Sequence, residues 1–479
     1  MTAIPADVLG RLKDVVGPKG FIDDPADMAP HVVEWRGLYR GLSPLVLKPA
    51  ATAEVAAIMA ICQQTGTKLV PQGGNTSLVG GSVPFEGNDE VVLSLSRMNR
   101  IRRIDPMDDT LTAEAGCVLA QVQQAAADVD RLFALRIASE GSCQIGGNLS
   151  TNAGGTNVLR YGNARDQVLG LEVVLPDGRV WDGLRALRKD NTGYDLKQLF
   201  IGAEGTLGII TAAVLKLHPR PASVETAFVA VPSPEAALTL LGLAKQRSGG
   251  QVTACELMPR LGLDYVLRHT PGTRDPFAQR HPWMVLLEFA SGDSGGGLRG
   301  ALEATLEDGL AEGIVLDAVI ADTLDQAKAL WFLREAMSEA QKPEGGSIKC
   351  DIAVPISRTP EFIARASAAV EAVCDGVRII AFGHLGDGNI HFNPSQPVGM
   401  DKQAFLDRWE EITGLIHAIA HELGGSISAE HGLGRLKRDE ITHFKSAVEM
   451  DLMRTLKRTL DPGNVLNRGK TVDATYTAR

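Results

Sequence analysis

Three glycine-dense segments, all within about 140 residues, limit the folds open to this chain more than any other feature. The first, PQGGNTSLVGG, occupies residues 71–81 directly after a predicted strand. The second, GSCQIGGNLSTNAGG, occupies 141–155, and the third, GAEGTLGII, occupies 202–210. Because glycine leaves backbone N–H groups unobstructed, such segments can curl around a pyrophosphate, although they lack the Walker lysine and the GxGxxG spacing. Ordinary turns are one interpretation, but one large ligand that contacts all three segments is the simpler account.

Length and composition exclude several classes of protein. A chain of 479 residues is too long for one ordinary core, so two or three domains are expected. Hydrophobic residues at 44% and charged residues at 22% are typical of a soluble globular protein. The longest aliphatic run, at 55–62, is far shorter than the ~20 residues that span a bilayer, so we predict no transmembrane segment. A net charge of −10 without a dense Lys/Arg stripe argues against nucleic acid as a partner.

Cysteine usage gives a prediction about location. The six cysteines are scattered without pair spacing, which favours reduced thiols over a disulfide framework. The N-terminal segment has no basic start followed by an apolar stretch, so secretion is not expected. We therefore predict a cytoplasmic protein.

Strands and helices alternate from Pro44 onward, which predicts an α+β fold with helices packed on sheets. The pattern predicts strands at 68–71, 90–95 and 283–289, and helices at 53–65, 301–313, 324–342 and 408–423. We predict four regions: a helical lead-in (1–40), the glycine-dense region (41–221), a region with fewer glycines (222–444) and a C-terminal helical segment (445–479).

Groups that bind metals or move protons are concentrated in GHLGDGNIHFN (383–393) and in the pair Glu430-His431. Alternation of polar and apolar residues predicts a strand at 389–393 with its polar side chains on one face. His384 lies seven residues before His391 across a glycine-rich turn, so it can fold back over that face. Two histidines and a carboxylate with one open position form the ligand set of a catalytic metal site. His431 is then left to handle a proton; the alternative is stray histidines in glycine-rich turns.

Taken in order, the three glycine-dense segments, GHLGDGNIHFN, SAEHGLGRLK (428–437) and DPGNVLN (461–467) resemble the FAD-dependent D-2-hydroxyacid dehydrogenases. These flavoproteins have a vanillyl-alcohol-oxidase or PCMH-type FAD-binding domain, and the resemblance covers about residues 40–470. It implies that 41–221 is this FAD domain. It also implies that 222–444 is an α+β substrate and metal domain with a central antiparallel sheet, and that 445–479 returns to the FAD domain.

The resemblance also implies the cofactor contacts. FAD is expected to be noncovalent. Some relatives attach it through a histidine in the first segment, and residues 75–77 of this chain contain no histidine. Arg468 stands where the family commonly has proline, which affects only the local turn. The residues expected to line FAD are Pro71, Gln72, Gly73, Gly74, Asn75, Thr76, Ser77, Glu140, Gly141, Ser142, Ile145, Gly146, Gly147, Asn148, Ser150, Thr151, Gly155, Glu204, Gly205, Ile209, Ile210 and Asn467.

The roles that the resemblance implies in substrate oxidation fall into three groups. Arg334, Ser338 and Lys349 form a carboxylate clamp, with Ser338 four residues after Arg334 on one helix face, and Asn393 donates a hydrogen bond to the substrate. His384, His391 and Glu430 hold a divalent metal, for which zinc fits best and manganese or iron are alternatives. His431 is the general base.

The expected reaction is the oxidation of a D-2-hydroxy acid to the 2-oxo acid with hydride transfer to FAD N5. D-2-hydroxyglutarate is the favoured substrate and D-lactate the next. The expected acceptor is an electron-transfer flavoprotein or a quinone-linked carrier, and the expected assembly is a homodimer. Two alternatives stay open: a non-redox metal-dependent hydrolase, and a noncatalytic or partner-dependent flavin subunit of a glycolate-oxidase complex.

Overall fold

The computed structural model describes residues 3–473 and divides the chain into two compact units. The first unit contains residues up to Gly154, Asn163–Arg220 and the chain from Glu430 onward. The second unit contains Gly155–Gly162 and Pro221–Ala429.

The helices, in chain order, are α1 (Ala6–Val16), α2 (Pro25–Val32), α3 (Thr52–Thr65), α4 (Leu119–Ala127), α5 (Ile145–Ser150), α6 (Val158–Tyr161), α7 (Lys197–Phe200), α8 (Pro234–Arg247), α9 (Arg260–His269), α10 (Gly297–Ala311), α11 (Leu324–Glu335), α12 (Thr359–Val373), α13 (Lys402–Leu406), α14 (Trp409–Glu422), α15 (Ile441–Phe444) and α16 (Ala447–Leu460). Short 3-10 helices lie at Ala164–Gln167, Glu339–Glu344 and Ile356–Arg358.

The strands are β1 (Phe21–Ile22), β2 (Val46–Leu47), β3 (Lys68–Gln72), β4 (Glu90–Ser94), β5 (Ile101–Asp105), β6 (Thr110–Glu114), β7 (Arg131–Leu132), β8 (Val168–Val174), β9 (Val180–Gly183), β10 (Ile209–Lys216), β11 (His218–Pro219), β12 (Ser223–Val231), β13 (Val252–Pro259), β14 (Trp283–Ser291), β15 (Asp317–Ile320), β16 (Cys350–Ala353), β17 (Arg378–His384) and β18 (Asn389–Ser395).

The first unit contains two larger sheets. A four-stranded sheet has the order β1-β2-β4-β3, with β4 parallel to both of its neighbours. Helix α3 packs on it through Val55 and Ile58 and ends at Gly66, whose left-handed backbone (φ 71°) suits a helix C-terminus. A five-stranded antiparallel sheet follows in the order β5-β6-β10-β8-β9.

The second unit is built on one seven-stranded sheet in the order β15-β12-β14-β13-β17-β18-β16, antiparallel throughout. One face packs against α8, α10, α12 and α14 in the larger hydrophobic core. The other face packs against α9 and α11 in a smaller core that contains Met258 and Phe382. The predicted α+β class, with a central antiparallel sheet in the second half of the chain, is confirmed.

One element prediction is wrong. The helix expected at 324–342 ends at Glu335 as α11, and the chain continues through a turn into the 3-10 helix Glu339–Glu344. Pro343 explains part of this, because proline disfavours the helical conformation of the residue before it. Ser338 is therefore not on one α-helical face with Arg334, and it is exposed. Among the helices of residues 3–473, none is long and apolar enough to cross a bilayer.

Candidate active site

One face of the seven-stranded sheet carries a row of polar side chains. Glu256 of β13 stands directly opposite His384 of β17, and His391 of β18 stands opposite Phe382 of β17. Because directly opposed residues share a face and side chains alternate along a strand, these three polar groups lie on the same side. Asn389 and Asn393 of β18 occupy the same face. The alternation in GHLGDGNIHFN predicted this arrangement for the two histidines.

Glu256 connects a histidine and an arginine of this row. Its Oε1 lies 2.8 Å from Nδ1 of His384, and its Oε2 accepts hydrogen bonds from Nε (2.9 Å) and Nη2 (2.8 Å) of Arg334. The Arg334 guanidinium also lies over the Phe382 ring, 4.8 Å from its centroid. All three polar residues are buried, with Glu256 1% exposed. A carboxylate is tolerated there only because both of its oxygens have partners.

The electrostatics of Glu256 follow from these contacts. Burial acts to raise the pKa of its carboxyl, but the charges and hydrogen bonds of His384 and Arg334 outweigh burial and lower the pKa to about 2. Glu256 is therefore an ionised acceptor at neutral pH. An ionised carboxylate can only accept, so Nδ1 of His384 is the donor in this contact, and in the neutral imidazole that metal binding requires Nε2 would be the ligand atom.

His391 has a more open surrounding than His384. Its Nδ1 lies 3.8 Å from Oδ1 of Asp351, which stands opposite it on β16. The same aspartate oxygen accepts a hydrogen bond from Nδ2 of Asn389 at 2.9 Å. The rings of His384 and His391 are 5.8 Å apart between centroids and nearly perpendicular (75°), and their ligand nitrogens come within 4.8 Å of each other. Two imidazoles so placed, one with its tautomer fixed, fit a divalent cation such as zinc.

Of the other predicted substrate residues in the second unit, Lys349 and Asn393 lie in or beside this row, whereas Ser338 does not. Lys349 directly precedes β16, and the pairing of β16 with β18, continued by the Ser347–Ser395 bridge, puts it opposite Asn393. Nδ2 of Asn393 donates to Oε1 of Gln341 at 3.1 Å. Ser338 is exposed on the turn after α11. Sequence reasoning missed Glu256 and Asp351, although an isolated acid inside an apolar strand run is a usable signal.

Glu430 and His431 begin the last part of the first unit, in a segment without regular secondary structure. Glu204 of the third glycine-dense segment fixes the residues that follow them. Its carboxylate accepts hydrogen bonds from the N–H groups of Leu433 (2.8 Å) and Gly434 (2.9 Å). Burial raises the pKa of Glu204, and these backbone hydrogen bonds oppose the shift. The side chain of Glu204 therefore holds the loop that carries His431.

The structure brings the three glycine-dense segments of the first unit together. A Cβ added to Gly73 would lie 3.4 Å from the nitrogen of Gly147, so the first and second segments are in backbone contact. The second and third are joined by hydrogen bonds from the N–H of Gly202 to the carbonyl of Leu149 (3.0 Å) and from that of Glu204 to the carbonyl of Ser150 (2.8 Å). One region of the first unit thus contains all three segments, as a single large ligand requires.

Two observations bear on whether this region can hold a cofactor. A Cβ on Gly74 would come within 2.2 Å of the Ser142 carbonyl oxygen, so the loops approach closely only because they are glycine. Oε1 of Gln144 is buried and has no hydrogen-bond partner in the described part of the chain, which leaves an acceptor for a ligand. The side chains of Gln72 and Asn75 are used differently. Gln72 bonds to His31 and Ser82, and Asn75 bonds to the carbonyls of Pro30 and Val33, so both shape the loop.

The remaining residues predicted to line FAD are distributed as follows. Ser150 and Thr151 donate to the carbonyls of Gly146 and Gly147 within and just after α5. Gly155 belongs to the second unit, whereas the rest belong to the first. Those first-unit residues on β3, the following loop, residues 140–148 and the third segment are Pro71, Thr76, Ser77, Glu140, Gly141, Ser142, Ile145, Asn148, Gly205, Ile209 and Ile210. Their contacts with the cofactor stay predictions.

The C-terminal segment fastens the glycine-dense region. Nδ2 of Asn467 donates to the carbonyls of Gly81 (3.0 Å) and Glu204 (2.8 Å), which joins the first and third segments. Asp461 is 1% exposed; it accepts from Nζ of Lys457 (2.5 Å) and from the N–H groups of Val465 and Leu466 (both 2.9 Å). Lys457 in turn donates to the carbonyl of Thr206 at 2.9 Å. We call Lys457, Asp461 and Asn467 the C-terminal clasp.

Arg468, the departure from the family pattern, forms a partly buried ion pair beside this clasp. Its Nη2 lies 2.6 Å from Asp89 and its Nε 3.1 Å from Glu90. A proline could make neither contact, so the substitution replaces a rigid turn with an ion pair.

Comparison with known proteins agrees with the fold and the cofactor region. The pattern described as FAD binding domain matches residues 43–183, and the one described as FAD linked oxidases, C-terminal domain, matches 220–471, more than half of the chain. The crystal structure of p-cresol methylhydroxylase with substrate bound superimposes with a TM-score of 0.78, covers 98% of each chain and is 15% identical, which shows the fold alone. Fold and cofactor region define an FAD-dependent oxidoreductase.

Relatives with higher identity specify the family. The mitochondrial D-2-hydroxyglutarate dehydrogenase of Arabidopsis thaliana is 39% identical over 459 residues, covering 95% of this chain and 79% of that protein. The Bos taurus protein of the same name is 38% identical, with coverage of 97% and 83%. A Schizosaccharomyces pombe protein that carries a mitochondrial D-lactate dehydrogenase name is 37% identical, with coverage of 95% and 88%. The chain belongs to the FAD-linked oxidase family that contains these dehydrogenases.

These relatives contradict the predicted cytoplasmic location, because all three are named as mitochondrial proteins. The physical reason for the error lies in the cysteines. All six are buried free thiols, and burial raises the pKa of Cys62 to about 12 and of Cys117 to about 11. Buried thiols behave as small apolar core residues and are protected from oxidants, so their number does not report the compartment.

Proposed function

We propose that this chain oxidises D-2-hydroxyglutarate to 2-oxoglutarate, with D-lactate as the next substrate. The family and the names of its relatives support the reaction class. The single observation that carries the proposal is the polar row on the second unit's sheet, where two histidines lie beside Arg334 and near Lys349. Two cations and two metal-binding imidazoles suit a substrate that has one carboxylate beside its hydroxyl and a second carboxylate elsewhere.

Each residue has a distinct task in the proposed mechanism. Arg334 and Lys349 hold substrate carboxylate charge, and the proposed hydroxyl of Ser338 in this clamp rests on the family resemblance alone, because Ser338 lies on the exposed turn after α11. Asn393 donates a hydrogen bond that orients the substrate. His431 removes the hydroxyl proton, for which an imidazole suits neutral pH. Noncovalent FAD, when bound in the first unit, would supply the acceptor for the hydride that leaves the substrate carbon.

The metal ligands in this proposal are His384, His391 and Glu430. A divalent cation there supplies a Lewis acid that lowers the pKa of the substrate hydroxyl. Glu430 is included on the family resemblance, because it stands at the position of SAEHGLGRLK that the resemblance assigns to a metal ligand. We propose zinc, with manganese and iron as alternatives for an N/O ligand set.

A chelator experiment tests the metal. Dialysis against a strong chelator is expected to abolish activity while the flavin absorbance stays, and added zinc or manganese is expected to restore it. Full turnover in protein shown to be metal-free by elemental analysis would remove the metal from the mechanism.

The substrate assignment is tested by adding D- and L-2-hydroxy acids to the oxidised protein without oxygen and following flavin bleaching. D-2-hydroxyglutarate is expected to bleach fastest, D-lactate next and the L-enantiomers least. Equal rates for both enantiomers would contradict the assignment. Bleaching by the isolated chain would also exclude the noncatalytic-subunit alternative, whereas family membership already argues against the non-redox hydrolase.

The electron acceptor in this proposal is an electron-transfer flavoprotein or a quinone-linked carrier. It is tested by reoxidising the bleached protein with each purified carrier and with oxygen. Faster reoxidation by oxygen than by either carrier would contradict it.

We extend the proposal to a homodimer formed through α16. Val448, Leu452 and Leu456 recur every four residues on this helix and are 69%, 58% and 39% exposed, an apolar stripe on its outer face. Glu449 and Asp451 lie in the N-terminal half and Arg458 in the C-terminal half, so two antiparallel copies would be complementary in charge. Leu452→Glu is expected to shift the mass in solution toward the monomer, and Leu187→Glu, at an exposed leucine elsewhere, is the control.

The domain division is likewise part of this proposal. Residues 41–221 with the segment 445–479 would form the FAD domain, residues 222–444 the substrate domain, and 1–40 a lead-in. The division of the chain into two compact units supports it, with the second unit spanning Pro221–Ala429.

A further inference from the structure

Glu256 occupies a position where a charge is costly. It lies in the middle of β13, where every residue from Val252 to Pro259 is buried. Moving an ionised carboxylate into such surroundings costs several kcal/mol unless it is paired and hydrogen-bonded. An apolar residue would fill the strand at lower cost, so the acid needs a reason beyond packing.

The two oxygens of Glu256 have separate partners. Oε1 accepts from Nδ1 of His384 (2.8 Å), whereas Oε2 accepts from Nε (2.9 Å) and Nη2 (2.8 Å) of Arg334. His384 is the strand neighbour opposite Glu256, so the sheet register fixes the first contact. Arg334 comes from the last turn of α11, which packs on this face. A single carboxylate thus fixes two side chains from two different elements.

The consequences for the two partners differ chemically. For His384, an acceptor at Nδ1 keeps the proton there and leaves the lone pair of Nε2 for a cation. For Arg334, contact through Nε and Nη2 sets the plane of the guanidinium, and Nη1 takes no part in the contact with Glu256. The first contact governs metal affinity and the second governs carboxylate affinity.

We propose that Glu256 is a positioning residue that sets both the metal-binding tautomer of His384 and the orientation of the Arg334 clamp. This inference rests on the proposed function, because it requires a metal at His384 and a substrate carboxylate at Arg334. It adds that the two affinities depend on one side chain, so that they fail together when that side chain is changed.

The decisive variant is Glu256→Gln, which keeps the shape but replaces one acceptor oxygen with a donor amide. That amide is uncharged and has one acceptor oxygen, so in either orientation one contact becomes donor against donor and the other loses its charge-assisted hydrogen bond. We expect zinc affinity to fall about 10–100-fold, as is typical when the partner of a metal-ligating histidine is lost. The KM for the 2-hydroxy acid should rise about 10-fold or more, with flavin content unchanged.

The measurements are made on purified flavoprotein. Zinc affinity is measured by competition with a chromophoric chelator, independently of activity, and KM and kcat are measured at saturating zinc. Unchanged zinc affinity and unchanged KM, even with a lower melting temperature, would reduce Glu256 to a structural ion pair and overturn the inference. Failure of the wild-type protein to bind zinc would instead defeat the proposed metal, so the two failures are distinguishable.

Glu288 provides a matched control. It lies on the same sheet face in β14, one strand from β13, and accepts from Nε1 of Trp331 on α11 (2.7 Å) and from Oγ1 of Thr253 (3.1 Å). Glu288→Gln removes a comparable carboxylate without affecting His384 or Arg334. It is expected to lower the melting temperature and to leave zinc affinity and KM within twofold of wild type. A loss of zinc affinity equal to that of Glu256→Gln would show that any carboxylate on this face matters, and would overturn the assignment.

A second variant keeps the test decisive if Glu256→Gln folds poorly. Poor folding could occur because that substitution leaves Arg334 as an uncompensated buried charge. The double variant Glu256→Gln/Arg334→Met removes both charges, so this penalty is absent. The contact with His384 is still altered, so zinc affinity is again expected to fall about 10-fold or more. Wild-type zinc affinity in the double variant would overturn the role at His384.

Discussion

The two units form their functional regions in different ways, the first mainly from backbone and the second mainly from side chains. In the first unit, three glycine-dense segments meet backbone to backbone and are held by buried side chains of the C-terminal clasp. In the second unit, a regular antiparallel sheet displays polar side chains in a row on one face. The first region depends on the absence of side chains, and the second depends on their identity. Substitutions should therefore affect cofactor retention and stability in the first unit and chemistry in the second.

The C-terminal clasp gives the largest expected effect. Asp461→Asn leaves Lys457 buried without a carboxylate partner, and breaking a buried pair in this way costs about 3–5 kcal/mol. We expect the urea midpoint to fall and FAD to be lost at lower urea than in the wild type. Asp451→Asn on the same helix is the control, because Asp451 is exposed and 3.9 Å from Arg458, and it should change stability by less than about 0.5 kcal/mol. Equal midpoints for the two variants would show that the clasp does not hold this region.

His431 belongs to the first unit but is proposed to act through its side chain, so a variant of it tests whether all of the chemistry depends on the second unit. His431→Ala is expected to reduce kcat about 100-fold, or about 2.7 kcal/mol in activation free energy, because a general base is lost. Its flavin content and melting temperature should stay at wild-type values. His443→Ala, at an exposed histidine of the same unit, is the control. Normal turnover in His431→Ala would remove this residue from the mechanism.

Gly74→Ala tests the backbone contact itself. The added Cβ would meet the Ser142 carbonyl oxygen at 2.2 Å and Cys143 Cα at 3.0 Å, both backbone atoms that cannot rotate away. We expect a loss of about 1–3 kcal/mol in stability and weaker FAD retention, as for overpacking. In Gly10→Ala, the added methyl meets nothing within 4 Å in helix α1, so this control is expected to stabilise the protein slightly. Full FAD retention in Gly74→Ala would show that the loops can separate without loss.

A polar cluster at the start of β17 gives the smallest effect and depends on pH. Glu344 lies 2.6–2.7 Å from Arg268, His269 and Arg378. Partial burial acts to raise its pKa, but hydrogen bonds from His269, Arg378 and Arg268 lower the pKa to about 2. Because the folded pKa is below the ordinary value of 4.5, the stabilisation is complete above pH 4.5 and is lost as the pH falls toward 2.

Glu344→Gln is therefore expected to lower the free energy of unfolding by about 1 kcal/mol at pH 7, with the difference from wild type disappearing near pH 2. Urea unfolding at several pH values measures this. Glu339→Gln, at an exposed acid 2.7 Å from Lys342, is the control and should show little difference at any pH. A difference for Glu344→Gln that is constant with pH would show that its charge is not the cause.

Local patterns predicted two of the seven strands of the second unit's sheet and three of that unit's helices, one of them with a wrong C-terminal end. Alternation in GHLGDGNIHFN gave the strand that the structure shows as β18, and the strand predicted at 283–289 is part of β14. The helix predicted at 408–423 lies within one residue of α14 at each end, because glycines stop it after Leu423. The helix predicted at 324–342 was wrong because the helical spacing of apolar residues continues past Glu335, whereas the backbone leaves the α-helical conformation there and forms a turn. Local sequence therefore located the strongly patterned elements, but not the short ones and not every boundary.

Contacts between distant residues could not be predicted from those patterns. Glu256 is 128 residues from His384 and 78 from Arg334, and only the strand order β14-β13-β17 brings them together. Asn467 was predicted to contact FAD from a motif, yet its amide joins two glycine-dense segments 386 and 263 residues away. In both cases the sequence shows a polar residue in an unusual place. The partner becomes known only once the sheets are assembled.

The C-terminal clasp also has a consequence for biosynthesis. Most of the second unit is one continuous stretch, Pro221–Ala429, whereas the first needs residues from both ends of the chain. A polypeptide still emerging from the ribosome can complete the seven-stranded sheet while its flavin-binding half lacks Asp461 and Asn467. Cofactor loading is therefore expected to wait until residues 461–467 have been made, and until then a nascent protein should be most vulnerable to proteolysis in its N-terminal third.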